Sequence, residues 1–237
     1  MRILVTRPDE EGRAMARALL AQGHDPVLSP ALEIVSEPPR ELHLDGFQAI
    51  LATSRHGAEA LSGNRAALRL PLLAVGRATA RTARAVGFAT VLSADGDRHT
   101  LVRMACDTLE PMDGALLWAA GRDRTPELAE DLAAHGFAVE VIEVYRAEAA
   151  RELTQEARRA LAAGAVDAVA VHSPRSAAIL LSLFTDAGVS AEAGPAVHAV
   201  SEATAKPFRA AGWTRIVVAR TPDSRAMMET FETDAEP

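Results

Sequence analysis

The sequence predicts an α/β chain built as two similar doubly wound, parallel-sheet domains, and three observations carry that expectation. The run AVGRATA at residues 74 to 80 returns as AVSEATA at residues 199 to 205. Upstream, FQAILATSRHGAEAL from Phe47 matches VDAVAVHSPRSAAIL from Val166, which lays Ser54 on Ser173. Further up, ILVT at Ile3 falls on LLWA at Leu116, and Gly23 falls on Gly136. The offset between the copies grows from 113 to 119 to 125, as small insertions in two connecting loops would make it. Self-similarity on this scale marks a duplicated supersecondary unit.

In the first copy, short apolar runs (Ile3 to Thr6, Ala49 to Thr53, Leu72 to Val75, Thr90 to Leu92) alternate with Ala/Leu/Arg stretches at helical spacing. Glycine closes the helices: Ala14 to Gln22 stops at Gly23, and Ala78 to Ala85 stops at Gly87. The second copy repeats the strands at Ala115 to Ala119, Ala138 to Ile142, Ala168 to His172, Val197 to Val200 and Arg215 to Ala219. Strands alternating with helices of this length form βαβ units, hence parallel sheets with helices on both faces. About five strands per copy make each sheet flavodoxin-like in size.

Two segments depart from the repeat. In PALEIVSEPPRELHLDG, Glu33-Ile34-Val35 reads as extended and Pro38-Pro39 excludes a helix. In VYRAEAARELTQEARRALAAGAVD, an extended start turns helical. Both are candidate linkers. The terminal ETDAEP is acidic, ends in proline and reads as frayed.

Composition narrows the function. The net charge is −7 and aromatics make up only 4%, with no basic stripe, so nucleic acid is excluded as the expected partner. One cysteine, Cys106, allows neither an intramolecular disulfide nor a multi-cysteine metal site, and reads as a buried or half-buried thiol in a reducing compartment. The N-terminus enters a strand without a leader-like apolar segment, and no apolar run is long enough to span a bilayer, so the expected location is the cytoplasm. No GxGxxG follows the first strand, and neither GxxxxGK[ST] nor GxSxG occurs. The histidines show no metal-ligand spacing. His56 and His172 read as solvated turn residues.

In open α/β sheets ligands bind beyond the carboxyl ends of the strands. Here those βα turns hold Arg7, Ser54, Gly76 with Thr79, Gly121 with Arg122, Ser173, and Ser201 with Thr204. A helix N-terminus offers free N–H groups and partial positive charge, which suit carboxylate or phosphate. Ser54, Ser173 and Thr204 also read as plain helix caps. Six such turns in one chain point to an anion-rich ligand.

Taken together, ILVTRP, ILATS, VAVHS, AVGRATA, AVSEATA and VIEVYR resemble the uroporphyrinogen-III synthase family, over nearly the whole chain. No one of these motifs is specific; their order and spacing are. The resemblance implies two α/β domains joined by a two-stranded ladder, with a cleft between them and a chain that crosses over twice. Mapped here, one domain covers residues 1–32 and 149–237 and the other 37–142, with linkers at 33–36 and 143–148. It further implies cyclisation of hydroxymethylbilane, a linear tetrapyrrole with eight carboxylates, with loss of water and inversion of the last pyrrole. No cofactor and no metal are implied. The chain would act as a monomer in the cytoplasm, away from membranes, taking substrate handed over by hydroxymethylbilane synthase.

The same resemblance makes Tyr145, the only tyrosine, the catalytic candidate that hydrogen-bonds or protonates the departing hydroxyl. In the repeat Tyr145 falls on Leu32, so building the linker requires no hydroxyl there. A phenol is protonated at neutral pH and can donate. Arg7, Ser54, Gly76, Thr79, Gly121, Arg122, Ser173, Ser201 and Thr204 are the substrate-binding candidates. Ser201 stands where family members often have glycine, and Glu202 beside it would repel carboxylates if it faced them. A two-lobe module that binds a small anion without chemistry is the alternative, since fold alone does not fix function.

Overall fold

The structure is a computed structural model describing residues 1–233; the terminal tail beyond Thr233 lies outside the described residues. In chain order the elements are β1 (Arg2–Val5), α1 (Asp9–Ala21), β2 (Asp25–Leu28), β3 (Leu32–Ser36), β4 (Phe47–Ala52), α2 (Arg55–Ala60), β5 (Leu72–Ala74) and α3 (Arg77–Ala85). They continue as β6 (Val91–Ser93), α4 (Arg98–Thr108), β7 (Ala115–Gly121), α5 (Glu127–Ala134), β8 (Val139–Ala149) and α6 (Gln155–Ala162). The last are β9 (Ala168–Val171), α7 (Pro174–Asp186), β10 (Ala196–Ala199), α8 (Glu202–Ala210), β11 (Ile216–Val218) and α9 (Ser224–Thr233).

The chain forms two compact units, Met1–Ile34 with Glu148–Pro237 and Val35–Ala147. The first holds a sheet of order β11-β10-β9-β1-β2, all parallel. The second holds β3-β8-β7-β4-β5-β6, parallel from β8 to β6. At its β3 edge, Glu37 N–H donates to Val144 O (2.8 Å) and Ala150 N–H to Ala31 O (3.0 Å). One residue number falls as the other rises, so β3 and β8 run antiparallel. Both unit boundaries fall inside these two strands, which join the units.

Strand order shows what the duplication became. β1 and β2, from the first copy, sit beside β9 to β11 from the second, whereas β7 and β8 of the second copy sit beside β4 to β6 of the first. Apart from the antiparallel β3 edge of the second, both sheets therefore have one spatial order, the flavodoxin-like one, assembled from exchanged halves. The chain reverses its direction of travel between β1 and β9 in one sheet and between β7 and β4 in the other; these are the topological switch points where such sheets hold ligands.

Period-two alternation puts a core on each face of each sheet. In the first unit Leu4, Val169 and Val171 pack under Phe184, Phe208 and Trp213, while Ile3, Val5 and Ala170 meet Met15, Leu19, Met227 and Phe231 of α1 and α9. In the second, Ile50, Ala52, Leu117 and Ala119 face α2 and α3, and Leu51, Leu116 and Trp118 face α4 and α5. Burying one such large apolar side chain contributes roughly 1.5–3 kcal/mol. The glycine stops at Gly23 (φ 81°) and Gly136 (φ 88°) adopt left-handed backbone that other residues resist.

Cys106 departs from its expected burial. It is exposed on α4, whose buried stripe is Leu101, Val102 and Ala105.

Candidate functional site

In the second unit β4, β7 and β8 are neighbours, so their carboxyl ends collect Ser54, Gly121, Arg122 and Tyr145. A register shift after Ala120 sets Gly121 opposite Tyr145. The phenol lies directly on that glycine: a Cβ built on Gly121 would stand 2.6 Å from ring carbons Cε2 and Cζ and 2.9 Å from the hydroxyl. The His56 ring is tilted against the Tyr145 ring at 5.3 Å between centroids. The described residues give the Tyr145 hydroxyl no hydrogen bond.

His56 is not the solvated turn residue expected. Its side chain is 19% exposed, because it packs on Tyr145 while its Nδ1 meets Glu59 Oε2 at 3.1 Å. Arg55 Nε–H approaches its other ring nitrogen at 3.5 Å.

Arg122 closes the same corner. Its backbone N–H donates to Tyr145 O (2.9 Å), and its guanidinium is shared between Glu37 (3.3 Å) and Glu143 (3.4 Å). Arg146 pairs with Glu37 as well, and Arg124 donates to Glu143 (2.9 Å) and to Gly121 O (3.0 Å). The Arg124 hydrogen bond first, then Arg122, hold the Glu143 carboxyl below the usual range. One strand outward from β4, Gly76 precedes α3 with extended backbone (φ −156°), and Thr79 is buried in the first turn of that helix.

In the first unit Arg7 follows β1 and Ser173 follows β9, at the switch point. Ser173 Oγ accepts from Ser176 N–H (3.0 Å) and its hydroxyl donates to Ser176 Oγ (2.9 Å). After β10, Ser201 Oγ accepts from Thr204 N–H (3.3 Å), and the two hydroxyls lie 3.0 Å apart. The capping expectation therefore holds for Ser173 and needs correction at two positions. Thr204 is fully buried and is the recipient of a cap that Ser201 supplies. Ser54 sits at the N-cap position of α2 but makes no cap, and its Oγ is buried without a partner.

Ser201 and Gly76 share one backbone shape, φ −159° against φ −156°, which any residue adopts. The serine in place of glycine thus leaves the turn unchanged and adds a cap. Glu202 pairs with Arg209 at 3.4 Å on its own helix.

His172 also departs from expectation. Rather than being solvated, it is largely buried; burial, with Arg7 adding to it, pushes its pKa down to about 4. Arg7 holds Glu11 at 2.9 Å. Sequence reasoning passed over both histidines, though each lies within two residues of the serine that ends its strand at a switch point, and that placement is the signal. The site residues thus fall into one group around Tyr145 in the second unit and another around Arg7 and Ser173 in the first. Among the described residues no cluster of His, Cys, Asp and Glu could hold a metal, and no helix is long and apolar enough to cross a membrane.

The profile of the family described as uroporphyrinogen-III synthase HemD matches residues 13–229. This chain belongs to that family. The structure of the Helicobacter pylori uroporphyrinogen-III synthetase is similar over 98% of both chains, with a TM-score of 0.62 at 16% identity. That of a mutant uroporphyrinogen III synthase from Thermus thermophilus is similar over 98% of both chains, with a TM-score of 0.50 at 22% identity. At such identities the likeness shows the shared fold. A Methanocaldococcus jannaschii protein that carries the family's name is 35% identical over 57 residues, a match spanning 24% of each chain.

Proposed function

We propose that this chain cyclises hydroxymethylbilane to uroporphyrinogen III, losing water and inverting the last pyrrole, with Tyr145 as its acid and no cofactor. The observation that carries the reading is the seat of Tyr145. Its phenol is held on Gly121 and against His56 at the carboxyl edge of a doubly wound sheet, with the hydroxyl left unengaged by the described residues. A general acid needs a proton to give and an open direction in which to give it. As the substrate hydroxyl departs with its bonding electrons, an azafulvene cation remains, and the phenol O–H donates to the leaving oxygen. The substituted α-carbon of the last ring then attacks the cation to give a spiro intermediate; its bond to the original bridge breaks, the free α-carbon of the same ring closes on that bridge, and the proton this carbon sheds balances the one the phenol gave.

Without control, the free bilane closes uninverted, so the enzyme must above all hold a flexible polyanion in one fold. That task falls to the βα turns. α3, α7 and α8 start behind extended residues Gly76, Ser173 and Ser201, and their first N–H groups carry partial positive charge. Of the nearby arginines, Arg77 is shared with Asp95 and Arg122 with Glu37 and Glu143, while Arg7 gives only one terminal nitrogen to Glu11. Backbone N–H groups are therefore the main carboxylate ligands in this reading, which suits a chain of net charge −7.

The test is incubation with enzymatically generated bilane followed by isomer analysis of the oxidised product. The expected outcome is the inverted isomer, formed faster than unassisted closure. The uninverted isomer alone, at the unassisted rate, would overturn the proposal and favour the anion-binding module.

A further inference from the structure

We propose that the cavity headed by Arg7 and His172 in the first unit is a subsite for one carboxylate-bearing arm of a pyrrole. This rests on the function proposed above and assigns part of the substrate to particular residues.

The placement comes from strand register. Val5 pairs with Ala170 across β1 and β9, so two residues further on, Arg7 stands beside His172 at the switch point. Both line one cavity of about 310 Å³. That is the small end of ligand sites, which run to roughly 300–1,000 Å³. Its walls are apolar: Ala14, Met15 and Ala18 from α1 and Met228 from α9, with Glu11 and Ser224 completing the lining. A polar head over an apolar trough fits a short methylene arm on a flat ring, carboxylate first.

The head groups are short of partners. Arg7 gives one terminal nitrogen to Glu11, while its Nε is buried with none. His172 Nδ1 is likewise buried with none. Buried polar atoms are nearly always hydrogen-bonded, and leaving one unmet costs free energy. A carboxylate reaching the head after a small side-chain rotation would satisfy the Arg7 N–H and accept from the imidazole, which is neutral at physiological pH and donates from Nδ1 in its Nδ1–H tautomer. A second cation there would repel Arg7; a neutral ring does not. His172 is then a substrate-positioning residue that the bare motif did not mark.

The probe is pyrrole-3-propionic acid, with its propionamide as control, titrated into the intact protein while the imidazole resonances of His172 are followed by NMR. Their loss in His172→Gln assigns them. The expected result is a saturable shift with the acid, at least ten-fold weaker with the amide. It should also weaken at least ten-fold in Arg7→Gln and in Ala14→Trp, which fills the trough from an exposed helix position. No shift up to the solubility limit, an equal response to the amide, or indifference to both variants would overturn the proposal. Bilane turnover read in parallel separates the two claims: an inverting enzyme that ignores the probe sinks only the subsite. A protein that binds the acid as described but never inverts the bilane sinks the cyclase and leaves a carboxylate site.

Discussion

Gly121 and Tyr145 contend for one volume: the space that a side chain on Gly121 would fill is occupied by the Tyr145 ring, 2.6 Å from the glycine's absent Cβ. Real Cβ contacts are not that short, so Gly121→Ala must displace either strand β7 or the phenol. The backbone of β7 is paired with β4 as far as Trp118 and with β8 through Gly121, and the ring is therefore what moves. The expected outcome is a folded protein with turnover reduced ~10²-fold, the scale on which small misplacements cost rate. Tyr145 is the only tyrosine, so fluorotyrosine NMR gives one resonance, which should shift in the variant. An unmoved resonance with normal turnover would remove Gly121 from the site.

Tyr145→Phe keeps the ring on Gly121 and removes only the proton. It should fold as the wild type does and lose ~10²–10⁴-fold in rate if the phenol acts as general acid. Product should drift towards the uninverted isomer as released bilane closes in solution. An unchanged rate and isomer ratio would return the tyrosine to a packing role.

How much of this could be read from the chain differs by level. The two sheets were legible because duplication fixes their strands twice over, so that a weak run in one copy is checked by its partner. β2 shows the limit: Asp25–Leu28 is four residues long and contains Pro26, which removes a ladder donor, and only its place at the sheet edge makes it tolerable. The first turns of α1 were hidden too, since DEEGR has no apolar period even though acidic residues suit a helix start. Site residues on βα turns followed from the strands. Their hydroxyl partners did not, because Ser54 and Ser173, equivalent in the repeat, differ in whether the side chain turns onto its own helix. The burial of His172 was out of reach for a different reason. It depends on neighbours brought together from opposite ends of the chain: Arg7 at the switch point and the residues of α1 and α9 that gather round it.

That contrast between the equivalent serines is measurable. Ser173→Ala removes a cap and should cost ~1 kcal/mol of stability. Ser54→Ala removes a buried hydroxyl that caps nothing, so its stability change should stay within about 0.5 kcal/mol, or even be favourable. Urea midpoints compare the two variants. If both lose equally, the cap distinction is wrong.

His172 supplies a pH signature for the fold itself. Its pKa falls from 6.5 to about 4 on folding, mainly through burial and secondarily through Arg7. Above the unfolded value the ring is neutral in both states and contributes no pH dependence. Between the two values the unfolded chain binds a proton that the folded chain refuses, so stability present above pH 6.5 is lost as pH falls towards about 4. The full loss is bounded at about 3 kcal/mol. His24 shifts in the same direction, by burial first and the N-terminal amine second, and it stays in place in the comparison. So do the carboxylates held low by their partners, among them Asp95, Glu143 and Asp223. Replacing His172 with Gln removes only the one titration. Urea midpoints at about pH 7 and about pH 4.5 should then show the variant losing less stability than the wild type, by about 2 kcal/mol. Equal losses would mean that the imidazole is solvated after all, and that neither the neutral ring nor the Arg7 neighbour acts at this switch point.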